Sequence, residues 1–226
     1  VVVGLFAISE MLTQSTLLDQ VFKRVALKAV KLPSLLDYKL TWSTEILQQL
    51  NLLEQKLDVF LSPCGGGGLL AGTSTAIKSA IPSVLIYGVE QEQYDDHAKS
   101  KNAGHRIQVT GHTPTMCDAL MATIPGELTW SVNCKTVDDF LVVSEDSVAF
   151  AVAFAFRHLK LVVEPGGVVG LAALLDRGID ISGKTVAVIL SGGNIDNETF
   201  NYCQSKRLND DFTRQPKLIC RYSYLG

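Results

Sequence analysis

Four successive glycines, Gly65–Gly68, sit between the apolar run Asp58-Val-Phe-Leu-Ser-Pro63 and the helix-period stretch Leu69–Lys78. A strand, a loop without Cβ atoms and a helix start together make an anion site. The bare backbone lets a bound group approach closely, and the amides ahead of the helix point at it. A phosphate is the natural guest. A flexible linker is the bland alternative, but linkers are polar on both sides and this run is flanked by strand-like and helix-like apolar sequence. The spacing Gly66-x-Gly68-x-x-Ala71, with Glu90 closing the run Val84–Glu90, also fits a dinucleotide fingerprint in which the acid takes a ribose. That reading leaves unexplained a second polar turn, Ser191-Gly-Gly-Asn194, after the buried-strand pattern Thr185–Leu190. Two glycine-rich turns after two strands of one sheet converge on its carboxyl edge, where open α/β sheets bind ligands.

The elements that must position these turns alternate from about Thr44 onward. A helix is expected over Thr44–Glu54 with Ile46, Leu47, Leu50 and Leu53 on one face, then a strand at Val59–Ser62, the glycine loop and a helix to Ala80. A strand at Val84–Val89, a polar segment Gln91–Asn102 and a short apolar piece Ile107–Val109 follow. Pro114, Pro125 and Gly126 mark the stretch 111–133 as loops with short helices, and Phe140–Val143 resumes the strand pattern. Ser144 is placed to cap a helix running to about Lys160, with Glu145 and Asp146 favoured in its first turn by the helix dipole. Glu164-Pro-Gly-Gly167 starts a further helix to Leu175, and the tail from Asn201 reads as loop or weak helix.

At 226 residues the chain can bury a sizeable core, and 47% hydrophobic with 19% charged residues describes an ordinary globular protein. A net charge of −3 gives no electrostatic footprint for nucleic acid or an anionic membrane surface, and no apolar stretch reaches the length of a membrane span. Five cysteines without a Cys-x-x-Cys pair suggest neither a disulfide framework nor a zinc site, which points to a reduced, cytoplasmic setting. The opening Val1–Ile8 lacks the basic start of a secretory signal and an initiator Met, so a fragment is expected.

Three stretches taken together, Pro63-Cys-Gly-Gly-Gly-Gly-Leu-Leu-Ala-Gly72, Val163-Glu-Pro-Gly-Gly-Val-Val-Gly-Leu-Ala-Ala173 and Leu190-Ser-Gly-Gly-Asn194, resemble the large domain of pyridoxal-phosphate enzymes of the tryptophan-synthase β fold. Cys117-Asp-Ala-Leu120, Pro125-Gly-Glu-Leu-Thr129 and Phe154-Ala-Phe-Arg-His-Leu-Lys-Leu161 resemble the short threonine/serine ammonia-lyases within it. The resemblance implies an α/β fold: a three-layer, open, mostly parallel sheet with helices on both faces, the smaller domain largely absent. It divides the chain into a remnant of N-terminal strands at 1–43, a cofactor-binding large domain at 44–200 and a tail at 201–226. It implies that Gly65, Gly66, Gly67, Gly68 and Leu69 hold the cofactor phosphate, that Ser191, with Gly192, meets the pyridine nitrogen, and that Glu164 lines the pocket. By the same resemblance Glu90, the Tyr94 carbonyl and Asp96 match a cation site of some serine racemases and dehydratases. Oxygen ligands at that spacing suit magnesium or calcium, and a solvated acidic loop is the alternative.

The implied chemistry needs a lysine whose amine is partly deprotonated by its surroundings. In the family that lysine lies far upstream of the glycine loop in a Ser-Phe-Lys-like motif, and a later Ser-x-Gly-Asn-His segment binds the substrate carboxylate. No such segment occurs here. Thr16-Leu-Leu-Asp19 and Arg24-Val-Ala-Leu-Lys-Ala29 resemble the strand pair before the lysine motif, and counting on puts Asp37-Tyr-Lys39 at its position. Lys39 is then the Schiff-base candidate, against the reading of a surface lysine. The function implied is elimination of water from L-threonine or L-serine in a shortened chain. A non-catalytic remnant serving as an assembly module, a serine racemase-like enzyme and a dinucleotide-binding protein are the alternatives. The expected partners are a small amino-acid substrate and either further copies of this chain or a full-length relative.

Overall fold

The computed structural model describes residues 4–9, 43, 46–51, 54–111, 113–176 and 178–206. Its framework is a five-stranded sheet in the order β1 (Gly4–Ser9), β5 (Thr185–Leu190), β2 (Val59–Pro63), β3 (Leu85–Gln91), β4 (Asp139–Val143). Strands β2 to β5 are mutually parallel and β1 runs antiparallel to β5, so residues 4–9 belong to the same sheet as the later strands. Both β2 and β5 are buried along their whole length. Their continuous apolar runs are what a parallel strand covered on both faces requires.

Period-two alternation splits these runs between two cores. Val59, Leu61, Val186, Val188 and Leu190 face a cluster built by helices α5 (Glu145–Phe154), α6 (Pro165–Leu175) and α7 (Asn197–Ser205). Phe60, Ile86, Ala187 and Ile189 face a second cluster with Ile46 and Leu50 of the helical residues 46–51 (α1) and with Leu70 and Ile77 of α2 (Gly68–Ala80). The result is a three-layer α/β fold. Helix α6 is buried on every side, as a central helix with no polar face must be. Its Gly170 brings it onto β5, since a Cβ there would lie 2.9 Å from Val188 Cγ1.

Several elements lie as their sequence pattern indicates. Ser144 caps α5, its hydroxyl accepting from the Ser147 amide at 3.2 Å, and the helix ends in one π-helical turn, Ala155–Leu159. Others differ. Strand β3 runs two residues beyond Val89, so Glu90 and Gln91 are buried sheet residues. The polar segment 91–102 contains a helix, α3 (Asp96–Ala103), which has no apolar stripe and was hidden for that reason. Helix α4 (Glu127–Thr136) begins in the stretch expected to be loop with short helices. Helix α7 crosses residue 200 and buries Cys203 in the first core, so the tail is helical to Ser205.

Gly88 lets β3 sit beneath α2 and β4, because a Cβ there would stand 2.6 Å from the Phe140 ring and 2.7 Å from Leu70 Cδ2. Gly88→Ala is expected to lower the unfolding free energy by about 1–3 kcal/mol, read from urea denaturation of the whole chain. An unchanged midpoint would show that Phe140 and Leu70 yield without cost.

Candidate cofactor site

Gly67 stands at the N-terminus of α2 with φ 79°, a left-handed conformation that favours glycine. A Cβ there would also fall 2.6 Å from His97 Nε2 and 2.7 Å from Asn133 Nδ2. Helix α4 holds the loop from behind: Thr129 Oγ1 donates to the Gly66 carbonyl at 2.7 Å and Asn133 Nδ2 to the Gly67 carbonyl at 3.2 Å. In a trans peptide the N–H points opposite the C=O. Tying back these two carbonyls therefore aims the amides of Gly67 and Gly68 to the opposite side. Among the described residues no side chain caps α2, and its first turn carries no acid, so no described anion competes for its dipole. A Cβ on Gly66 would meet none of the described residues within 4 Å. Such a cradle fits a phosphate. Leu69, the second residue of α2, contributes its place in that first turn, its side chain being packed partly into the second core.

The second turn is interlocked with the start of α6. The Glu164 amide donates to the Gly192 carbonyl at 2.9 Å and the Ser191 amide to the Gly167 carbonyl at 3.2 Å. Glu164 Oε2 accepts from the Asn194 amide at 2.9 Å. This close approach needs Gly192, where a Cβ would overlap the Glu164 carboxyl carbon at 2.2 Å, and Gly167, where it would lie 2.8 Å from the Gly192 amide nitrogen. The short helical turn Asp118–Leu120 fills the space between the two motifs, lying 3.1 Å from a Cβ built on Gly65 and 3.3 Å from one on Gly166.

Strands β2 and β5 are parallel neighbours with Leu61 level with Val188. Both strands run in the same direction, so the glycine loop and the Ser191 turn leave the same edge of the sheet. The geometry brings Gly65–Gly68, Leu69, Glu164, Ser191 and Gly192 into one region. Glu164 serves that region through the backbone of the 191–194 turn. Lys39 lies outside the described residues, as do Thr16–Asp19 and Arg24–Ala29.

Glu90 departs from its expected ribose role. Its carboxylate is fully buried and accepts from the His97 and Ala98 amides at 2.9 and 2.8 Å, capping α3. It cannot reach a ribose outside the strand ends, which removes the acid from the dinucleotide reading. Around it lie buried Asp96, His97 and Cys64, with His97 Nδ1 at 3.3 Å from Glu90 and 3.4 Å from Asp96. Burial pushes the Cys64 thiol up to about 11 and raises Glu90, an effect His97 opposes. Burial would lower His97, but the close approach of Asp96, Cys64 and Glu90, which favours the charged ring, outweighs it and pushes its pKa up to about 12. Tyr94 is buried too, its hydroxyl donating to the Thr113 carbonyl at 3.0 Å. Sequence reasoning did not single out Thr129, Asn133 or His97 as supports of the loop, since each is an ordinary polar residue in a segment without apolar periodicity.

The family model for pyridoxal-phosphate dependent enzymes matches residues 26–192. The chain belongs to this family. Its members use pyridoxal phosphate, the group the glycine cradle fits. Among curated relatives, L-threonine ammonia-lyase of Thermotoga maritima is 41% identical over 140 residues, 62% of this chain and 34% of the relative. Serine racemase of Arabidopsis thaliana is 37% identical over 161 residues, 69% of this chain and 47% of the relative. A crystal structure of threonine deaminase from T.th. superposes with TM-score 0.67 at 37% identity, covering 71% of this chain and 54% of that one. The chain thus spans a third to about half the length of these relatives.

The cradle separates charge from sterics. Gly66→Asp places a carboxylate in open space before the helix and is expected to weaken pyridoxal phosphate binding at least about tenfold with little change in melting temperature, a loss of one charge-assisted hydrogen bond or more. Gly67→Asp should also unsettle the fold, because it collides with His97 and Asn133. Equal cofactor affinity in Gly66→Asp by fluorescence titration would remove the phosphate from this loop.

Proposed function

We propose that this chain carries the cofactor-phosphate half of an ammonia-lyase that removes water from L-threonine or L-serine, the enamine formed then hydrolysing to a 2-oxo acid and ammonia. The observation that carries the reading is the side-by-side exit of the glycine loop and the Ser191 turn from parallel neighbours β2 and β5. The relatives named for threonine ammonia-lyase support the reaction class.

The bound cofactor supplies an electron sink for the substrate α-carbon. Toward it, the Gly67 and Gly68 amides hold the phosphate, with Thr129 and Asn133 fixing their direction. Ser191 offers a neutral hydroxyl where a carboxylate would hold a charged ring, which makes the sink weaker and favours expelling a β-hydroxyl over transamination. Glu164 keeps the 191–194 turn in place through Asn194. Lys39 is proposed as the lysine that bonds the cofactor and moves the α-proton.

A second reading, resting on the interlocked backbone of the 164–167 and 191–194 turns, is a cofactor-binding module that assembles with a full-length relative. The test is to add pyridoxal phosphate to the chain, reduce with borohydride, map the modified lysine by mass spectrometry and assay L-threonine and L-serine. A stoichiometric adduct at Lys39 with 2-oxo acid release is the expected result; D-serine as the main product from L-serine would transfer the assignment to a racemase. Saturable binding with no adduct would favour the module, to be checked by size-exclusion chromatography with a full-length relative. An absence of binding would overturn both.

A further inference from the structure

The floor of the glycine loop holds more ligand-capable groups than capping α3 requires. Cys64, Glu90 and His97 are all buried and each places one donor atom within 4.8 Å of the others. Their positions follow from the sheet. Cys64 is the residue between β2 and the loop, its amide donating to the Val89 carbonyl at 2.8 Å, which sets it beside Glu90 on β3. His97 enters from the first turn of α3 and lies beneath Gly67.

The protein atoms present leave this cluster unsatisfied. Among the described residues neither His97 nitrogen and neither Asp96 oxygen has an aligned hydrogen-bond partner, although His97 Nδ1 stands 3.3 Å from Glu90 and 3.4 Å from Asp96. Among the described residues the Cys64 thiol donates to the Gly65 carbonyl, at 3.8 Å. Orphaned buried polar atoms are costly and call for an unseen partner. Glu90 spends two of its roughly four acceptor positions on the α3 amides, leaving capacity for a further ligand.

We infer that Cys64, Glu90 and His97 bind a zinc-type divalent ion beneath the glycine loop. The donor set of thiolate, imidazole and carboxylate suits a borderline-soft ion. Magnesium or calcium, the ions expected from the Glu90, Tyr94, Asp96 pattern, prefer oxygen alone. Tetrahedral zinc spaces its ligands about 3.3–3.8 Å apart, so closing around the ion takes a movement of about 1 Å. Binding replaces the thiol proton, which leaves as the dication enters, and no oxidant is needed. Because Cys64 leads directly into Gly65 and His97 underlies Gly67, the ion would brace the phosphate loop from below.

The test is cobalt titration of the whole chain after dialysis against a chelator. The expected result is one equivalent of Co2+ with a thiolate-to-cobalt charge-transfer band in the near ultraviolet, lost on adding one equivalent of zinc and resistant to magnesium or calcium in large excess. Cys64→Ser should abolish the band while Cys117→Ala, a buried thiol away from the cluster, retains it. No such band in the wild-type chain, an unchanged band in Cys64→Ser, or displacement by magnesium would overturn the assignment. The wild-type readout stands even if Cys64→Ser fails to fold, and none of these outcomes depends on pyridoxal phosphate binding.

Discussion

Two peptide planes govern the site. With the carbonyls of Gly66 and Gly67 drawn back onto Thr129 and Asn133, the amides that follow must face outward. Everything nearby serves that orientation. The left-handed Gly67 turns the chain into α2, the lack of a side-chain cap leaves the helix dipole free, and α3 and α4 form the floor. An anion held by fixed backbone dipoles requires no reorganisation on binding. The glycines are needed for two distinct reasons: Gly67 for its dihedral angles and the His97 and Asn133 contacts, Gly66 for the open space before it.

The sheet supplies the second constraint. Parallel pairing of β2 with β5 puts two loops from distant parts of the sequence at one edge, and the Asp118–Leu120 turn wedges between them. Glu164 joins the start of α6 to the Ser191 turn, so the side of the site assigned to the ring is braced by backbone as firmly as the phosphate side. The described residues thus bring the two turns together on one rigid edge.

Legibility in the sequence followed the strength of the local signal. Strands β2 and β5 and helix α6 could be read directly, because residues buried on both faces form unbroken apolar runs. The Ser144 cap and the glycine loop were readable because single residue types there carry specific geometry. Helix α3 was not, because Glu90 stabilises it from outside by accepting two of its first amides. That cap also explains why Glu90 looked like a loop carboxylate when it is an interior one. The roles of Thr129, Asn133 and His97 depend on pairings dozens of residues apart, which local periodicity does not encode. The expectation for Lys39 falls outside the described residues.

The central claim is that the Gly65–Gly68 loop is a phosphate seat within a cofactor platform. Its most direct measurement compares equilibrium binding of pyridoxal phosphate with that of pyridoxal, which lacks the phosphate, under identical salt and pH. Two outward amides and a helix N-terminus, at about 1.5–3 kcal/mol for each charge-assisted hydrogen bond, predict that the phosphate strengthens binding by about 100-fold or more. Equal affinities for the two would contradict the account.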